Sequence, residues 1–298
     1  MNELAAQLSG VTRAYPHFTL NNIDLKLPTG SIMGFIGPNG AGKSTTIRIL
    51  MGLVHQDRGV VTVLGHAMPD DQAAAKRDIG FASEDMRLYG AATLAWHMGF
   101  IRSLFPRWDQ PYAETLLKRF DLKPQQKVKG LSHGQRVKAA LLLSLARRPR
   151  LLVLDEPTTG LDPVARREVL GELLAVLADE ECTILFSSHN TLDVEQISDY
   201  ITFIDRGHIV SSADKETFLD RWRRIRLVLP PSATLPKFPG IVEVGGSGRL
   251  PVLTTDSYEP AMLAACEDAG VAVQAVDSMT LEEIFVANVE SRRQEMTA

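Results

Sequence analysis

Cysteine is nearly absent: the 298 residues hold two, Cys182 and Cys266, far apart and in no metal-ligand spacing. That excludes a disulfide scaffold and a cysteine-built zinc site, and both thiols read as small buried hydrophobes in a reducing compartment. A basic excess is missing too. Lys and Arg number 32 against 36 acidic residues, a net charge of −4, which argues against bulk nucleic-acid binding. No stretch approaches the roughly 20 apolar residues of a membrane-spanning helix. The start, Met1-Asn2-Glu3-Leu4, opens no basic segment with an apolar core, so no signal peptide is predicted and the chain is expected to be soluble and cytoplasmic. The remaining balance, 45% apolar and 23% charged, is that of an ordinary globular protein, long enough for one large domain with an appendage.

What the chain does have is Gly37-Pro38-Asn39-Gly40-Ala41-Gly42-Lys43-Ser44-Thr45, a match to G-x-x-x-x-G-K-[ST]. Its flanks suit a phosphate-binding loop. Ser31 to Ile36 is a short apolar run that reads as a buried strand, and Ile47, Leu50 and Met51 fall at helical spacing. A strand, a glycine loop and a helix N-terminus aim backbone N–H groups and a positive dipole end at one point. Lys43 can reach the outer phosphates, and Ser44 can offer a hydroxyl to Mg²⁺. The loop predicts ATP or GTP binding.

Further along, Gly59 to Gly65 and Ile79 to Ala82 read as strands, and residues 92–126 turn helical. Leu131-Ser132-His133-Gly134-Gln135 opens a helix predicted over Arg136 to Arg147, stopped by Pro149. Leu151 to Asp155 and Cys182 to Ser187 read as parallel strands buried on both faces, with a helix from Pro163 to Asp179 between them. Strands alternating with helices define an α/β fold around a parallel sheet. Near Asp220 prolines and glycines interrupt the pattern, and residues 221–298 read as a small α+β domain.

The strand Leu151–Asp155 ends in two acids. Such a strand carries Asp155 to the carboxyl edge of the sheet, where it can organise Mg²⁺, while Glu156 can accept a proton from an attacking water. Leu131 to Gln135 precedes this strand, Gly160-Leu161-Asp162-Pro163 follows it, and Ser187-Ser188-His189 follows the next. In this order the motifs resemble those of the ATP-binding-cassette (ABC) ATPases, over about residues 4–215. The resemblance implies a cassette over 1–220, comprising a parallel core sheet, an antiparallel β subdomain and a helical subdomain at about 86–148. It implies ATP and Mg²⁺ as ligands. Tyr15 would stack on adenine; Gly37, Pro38, Asn39, Gly40, Ala41, Gly42, Lys43, Ser44, Thr45 and Asp155 would hold the nucleotide. Glu156 would be the general base and His189 would orient it or the water. Ser132, His133, Gly134, Gln135 and Asp162 would meet the nucleotide held by a second cassette, so a homodimer or paralogous heterodimer is implied.

Two positions depart from the family's pattern. Glu84 stands where the family has Gln, and would ligate Mg²⁺ with Ser44 and Asp155. His133 replaces a glycine, and would face the rim of the dimer interface and tune it with pH. With one cassette, no zinc modules and an acidic balance, the chain resembles the ATPase subunit of a transporter more than soluble relatives acting on DNA or ribosomes. Met279 to Phe285 and the glutamate-bearing loop resemble bacterial exporters of drugs, peptides or envelope components, whose permease is a separate chain. That permease would hold the subunit at the cytoplasmic face of the inner membrane. It would dock between Glu84 and Pro124, where Trp96, Phe100, Leu104, Phe105 and Trp108 lie, although such a cluster is more often core. Arg221 to Arg226 reads as a solvated linker that could touch anionic lipid. The loop itself makes the first prediction: Lys43→Ala weakens ATP affinity at least about tenfold in a fluorescent-nucleotide titration, and unchanged affinity would contradict the phosphate-loop reading.

Overall fold

The amino-terminal half begins with an alternating pattern that folds as a hairpin. The computed structural model describes residues 3–180, 182–231 and 233–295; Met1 and Asn2, on which part of the N-terminal reading falls, lie outside them. Strands β1 (Leu4–Tyr15) and β2 (Phe18–Pro28) pair antiparallel, and β2 buries Leu20, Ile23, Leu25 and Leu27 at every second or third position. After β3 (Ile32–Ile36) and α1 (Lys43–Leu50) come β4 (Arg58–Val63) and β5 (His66–Met68), which complete a four-stranded sheet in the order β2-β1-β4-β5.

A short helix α2 (Gln72–Ala75) leads into β6 (Ile79–Ser83). The helical stretch predicted over 92–126 is two helices, α3 (Leu94–Leu104) and α4 (Gln110–Arg119), each capped by a side chain, Thr93 and Asp109. Helix α5 (His133–Leu145) starts three residues earlier than predicted. Ser132 accepts from Gln135 N and the Gln135 side chain accepts from Ser132 N, a capping box that pulls His133, Gly134 and Gln135 into the first turn. Then follow β7 (Leu151–Asp155), α6 (Pro163–Glu180), β8 (Thr183–Ser188), α7 (Thr191–Ile197), β9 (Tyr200–Asp205) and β10 (His208–Asp214).

The central sheet runs β10-β9-β3-β8-β7-β6, and β9, β3, β8, β7 and β6 are mutually parallel. Every residue of β3, β7 and β8 is buried, as strands covered on both faces require. Helix α4 is tied to α6 through the buried Glu172, which accepts from Tyr112 Oη at 3.0 Å and from Arg119 at 2.9 Å.

The chain divides into two compact units between Ser212 and Ala213. The second contains α8 (Lys215–Arg221), β11 (Arg223–Val228), β12 (Ile241–Ser247), β13 (Leu250–Thr255), α9 (Ala261–Asp268), β14 (Ala272–Ser278) and α10 (Leu281–Glu295). Its strands form an antiparallel sheet in the order β12-β13-β11-β14, over a core that includes Ile225, Leu227, Leu253, Met262 and Cys266. The reading of Arg221 to Arg226 as a solvated linker is corrected here. Trp222 and Ile225 are buried, Arg224 pairs with Glu283 at 2.9 Å and Arg226 with Asp277 at 2.8 Å, so these arginines are committed to β11 and its neighbours.

Helix α7 lies so close on β3 that Gly34 has no room for a side chain. A Cβ there would stand 1.9 Å from Val194 Cγ1 and 2.7 Å from Ser198 Oγ. Gly34→Ala should therefore cost about 1–3 kcal/mol in urea unfolding. Combined with Val194→Ala, the loss should be smaller than the sum of the two single losses; strict additivity would show that the clash does not limit packing.

Candidate nucleotide-binding site

Parallel neighbours put their carboxyl ends on one edge. The register sets Ile36 beside Ser188, and Asp155 beside both Ser187 and Ser83. The segments that begin at Gly37, Glu84, Glu156 and His189 thus all leave the sheet together, where open α/β sheets bind ligands.

In the phosphate loop the glycines have separate jobs. A Cβ at Gly37 would meet Ile204 O at 2.4 Å, so the loop turns against β9 only without one. Gly42 has φ +116°, closed to other residues, and packs on Leu20 and Phe18. Pro38 accepts from Ala41 N, Asn39 and Gly40 are exposed, and a Cβ at Gly40 would meet nothing. No acid sits in the first turn of α1, so the N–H cluster beside Ser44 and Thr45 keeps its positive end uncompensated. Lys43 is only 5% exposed and its Nζ donates to Gly37 O at 2.7 Å. The same ammonium lies 3.0 Å from Glu156 Oε1.

Glu156 is the hub of the edge. Its backbone has φ +55°, in the left-handed region, and its N–H reaches Ser187 O at 3.2 Å and Ser187 Oγ at 3.0 Å. The Ser187 hydroxyl in turn donates to the buried Asp155 Oδ1 at 2.7 Å. On the side chain, Oε2 accepts from Thr159 Oγ1 at 2.9 Å and from His189 Nδ1 at 2.7 Å. A carboxylate cannot donate, so the His189 proton sits on Nδ1, and its Nε2 can donate to an anion only as imidazolium. Burial alone would push the Glu156 carboxyl up. The Lys43 charge and the hydrogen bonds from Lys43, His189 and Thr159 outweigh it and hold the group below its ordinary value.

The other predicted residues are distributed unevenly. Glu84 is exposed, one step beyond β6, and its N–H donates to Asp155 O at 3.2 Å; its neighbour Asp85 pairs with Arg48. Tyr15 ends β1, half-exposed, beneath the Arg13 guanidinium and 6.3 Å from the Phe18 ring that packs on Gly42. Ser132 and Gln135 are engaged with each other in the capping box, and Gly134 is half-buried. Asp162 Oδ1 accepts from Val164 N and Ala165 N, which caps α6 and lowers its carboxyl pKa. His133 is partly buried and turns toward its own chain. Its Nε2 lies 2.9 Å from Thr159 O in the same chain, drawn there by a carbonyl within reach.

Two residues escaped the sequence reading. Ser187 lay inside a recognised motif, but its bonds to both acids follow from the β7–β8 register. Thr159 carries no signal beyond being a hydroxyl three residues after an acid. An oxygen donor set of the Ser44 hydroxyl and the Asp155 and Glu84 carboxylates suits a hard cation such as Mg²⁺. Among the described residues no three His, Cys, Asp or Glu side chains converge tightly enough to hold an ion alone, so Mg²⁺ here would be shared with phosphate oxygens and water.

A parallel sheet with a lysine-bearing glycine loop, paired acids and a histidine on one edge defines a phosphate-loop nucleotide-binding protein. The family model described as ABC transporter matches residues 20–159. The chain is 30% identical to a daunorubicin resistance ATP-binding protein, DrrA3, of Streptomyces coeruleorubidus, over 96% of each chain. It is 31% identical to the Nod factor export ATP-binding protein I of Bradyrhizobium diazoefficiens, over 74% of each. A solved ATP-binding subunit of an ABC transporter superposes with a TM-score of 0.67 at 24% identity, over 73% of this chain and 92% of that one. The chain belongs to the ABC transporter family and carries its ATP-binding domain.

The lowered Glu156 pKa has a consequence for stability. A carboxylate depressed in the folded state stabilises above its unfolded pKa, and that contribution is lost as pH falls through the lowered folded value. Urea unfolding of the nucleotide-free chain should therefore weaken below about pH 4, and Glu156→Gln should lack this component. An unchanged acid profile in that variant would mean the Lys43–Glu156 pair contributes nothing to the fold.

Proposed function

We propose that the chain is the ATP-hydrolysing subunit of a membrane exporter, working as a pair of cassettes against a separate permease. The observation that carries this reading is Glu156, held between Lys43 and His189 at the mouth of the phosphate loop. A carboxylate kept ionised at neutral pH can take a proton from water, which a base at this position must do.

On binding, the outer phosphates of ATP compete with Glu156 for the Lys43 ammonium, because both are anions within reach of one buried cation. Separation of that pair leaves Glu156 oriented by His189 and Thr159 and able to accept the proton of the attacking water. Mg²⁺ held by Ser44, Asp155 and Glu84 would supply charge neutralisation at the phosphates. Tyr15 offers its face to the adenine ring. The start of α5, with Ser132, His133, Gly134 and Gln135, and Asp162 at the start of α6, form the face toward the nucleotide of a second cassette. ATP then holds two cassettes together and hydrolysis releases them, which drives the permease between its two states.

The export reading rests on the resistance and export relatives together with the carboxylate at position 84. For the permease, a groove of about 470 Å³ lies between the core sheet and the helical segment, lined by Met86, Tyr89, Phe100, Ile101 and Phe105 among others. Trp96 is 48% exposed on its margin and stacks on Phe100 at 5.3 Å between centroids. Such an exposed aromatic surface suits an apolar helix from a membrane partner, and holding the subunit there would place it at the cytoplasmic face of the membrane. No described helix is long and apolar enough to cross a membrane.

Glu156→Gln should retain ATP binding, lose turnover by at least about a hundredfold, and accumulate as an ATP-bound dimer in size-exclusion chromatography. Normal turnover in that variant would remove Glu156 as the base.

A further inference from the structure

A single line of hydrogen bonds joins the start of α5 to Glu156. His133 Nε2 lies 2.9 Å from Thr159 O. A carbonyl oxygen can only accept, so Nε2 carries the proton and donates. Thr159 is held to Glu156 from its other groups: its N–H donates to Glu156 O at 3.3 Å and its hydroxyl donates to Glu156 Oε2 at 2.9 Å. The turn that follows is shaped for this contact. Gly160 has φ +70°, and a Cβ there would come within 3.2 Å of His133 Nε2. His133, Thr159, Glu84 and Glu156 also line one cavity of about 70 Å³, large enough for more than one water.

We propose that His133 is a positioning residue for the ATPase reaction. By holding the Thr159 carbonyl, it fixes the hydroxyl that orients Glu156, and so joins the helix start that faces a second cassette to the base of its own site. Glycine at 133 could not make this bond. The inference rests on the reading of Glu156 as the base, and it adds a residue that acts on that base through Thr159. Two carboxylate oxygens must be aimed at once, one toward the water and one toward His189. A hydroxyl free to rotate away from Oε2 would let the carboxylate turn, and a positioning error of that size is costly in rate though not in binding.

The test is steady-state ATP hydrolysis by the purified full chain, with kcat and KM separated. H133A and the volume-preserving H133M, neither of which can donate, should lower kcat about tenfold with KM for ATP changed less than about threefold. H133Q, which retains an N–H donor at similar reach, should recover most of the rate. T159V should lower kcat similarly, and the H133M/T159V double variant should be no slower than T159V alone, since both act through one hydroxyl. Additive losses, or parental kcat in H133M, would overturn the proposal. So would H133Q failing as badly as H133M, which would show that shape and not the donated bond matters. If H133A does not fold, H133M and H133Q decide the question by themselves. Failure of the underlying reading looks different: Glu156→Gln would then hydrolyse ATP normally, whatever the His133 variants do.

Discussion

One buried ion pair organises the site: the Lys43 ammonium, 3.0 Å from Glu156 Oε1 at the carboxyl edge of the sheet. Neither charge could be tolerated there alone, since an unpaired buried charge costs several kcal/mol. The fold supplies both from different strands, Lys43 through the loop after β3 and Glu156 directly after β7, with β8 between them. Nearly every other feature of the edge serves that placement. Glycines let the loop fold back so that Lys43 reaches its own Gly37 carbonyl. Ser187 ties the backbone of Glu156 to the side chain of Asp155. Thr159 and His189 occupy the second carboxylate oxygen. The Lys43 ammonium is thus satisfied wholly within the chain, by one carbonyl and one carboxylate.

Much of this was legible before any coordinates. The phosphate loop is written in consecutive residues, and its glycines and lysine must stand where they do for local reasons. The buried strands β3, β7 and β8 each carry a continuous apolar run, so no alternation is needed to find them. Asp162, directly before Pro163, is likewise a local cap signal. What stayed hidden depends on partners distant in sequence. Arg223 to Arg226 looks like a charge run because its companions, Asp277 and Glu283, come more than fifty residues later. Its alternation with Ile225 and Leu227 does carry a strand signal, legible from Ile225 onward; what the sequence does not show is where the arginines find their partners. The segment from Thr191 to Asp214 is short, and its α7, β9 and β10 went unread. Ser187 and Thr159 matter only through the register of β7 with β8 and the turn after it. The early start of α5 was readable, since Ser132 and Gln135 form a capping box at the expected spacing.

The helical segment is fastened to the core by polar contacts at specific points. Glu172 receives Tyr112 and Arg119 from α4, and Ser144 on α5 donates to Phe81 O on β6 at 2.9 Å. His97 stitches the loop after Glu84 to α3, accepting from Tyr89 N at 3.0 Å while its other nitrogen bonds Thr93 O. The exposed aromatic surface around Trp96 and Phe100 therefore sits on a helix, α3, tied by His97 to the loop at Tyr89.

The left-handed backbone of Glu156 bears on how such a chain can change over time. A non-glycine residue in that conformation costs the fold on the order of 1 kcal/mol. Glycine or asparagine there would relieve it, but would leave the buried Lys43 ammonium without its partner, a larger loss than the strain removed. Stability alone therefore holds the carboxylate in place, because the strained backbone is what carries it to the ammonium. Position 156 is a place where a small local cost in the backbone is outweighed by a contact made far away in the sequence.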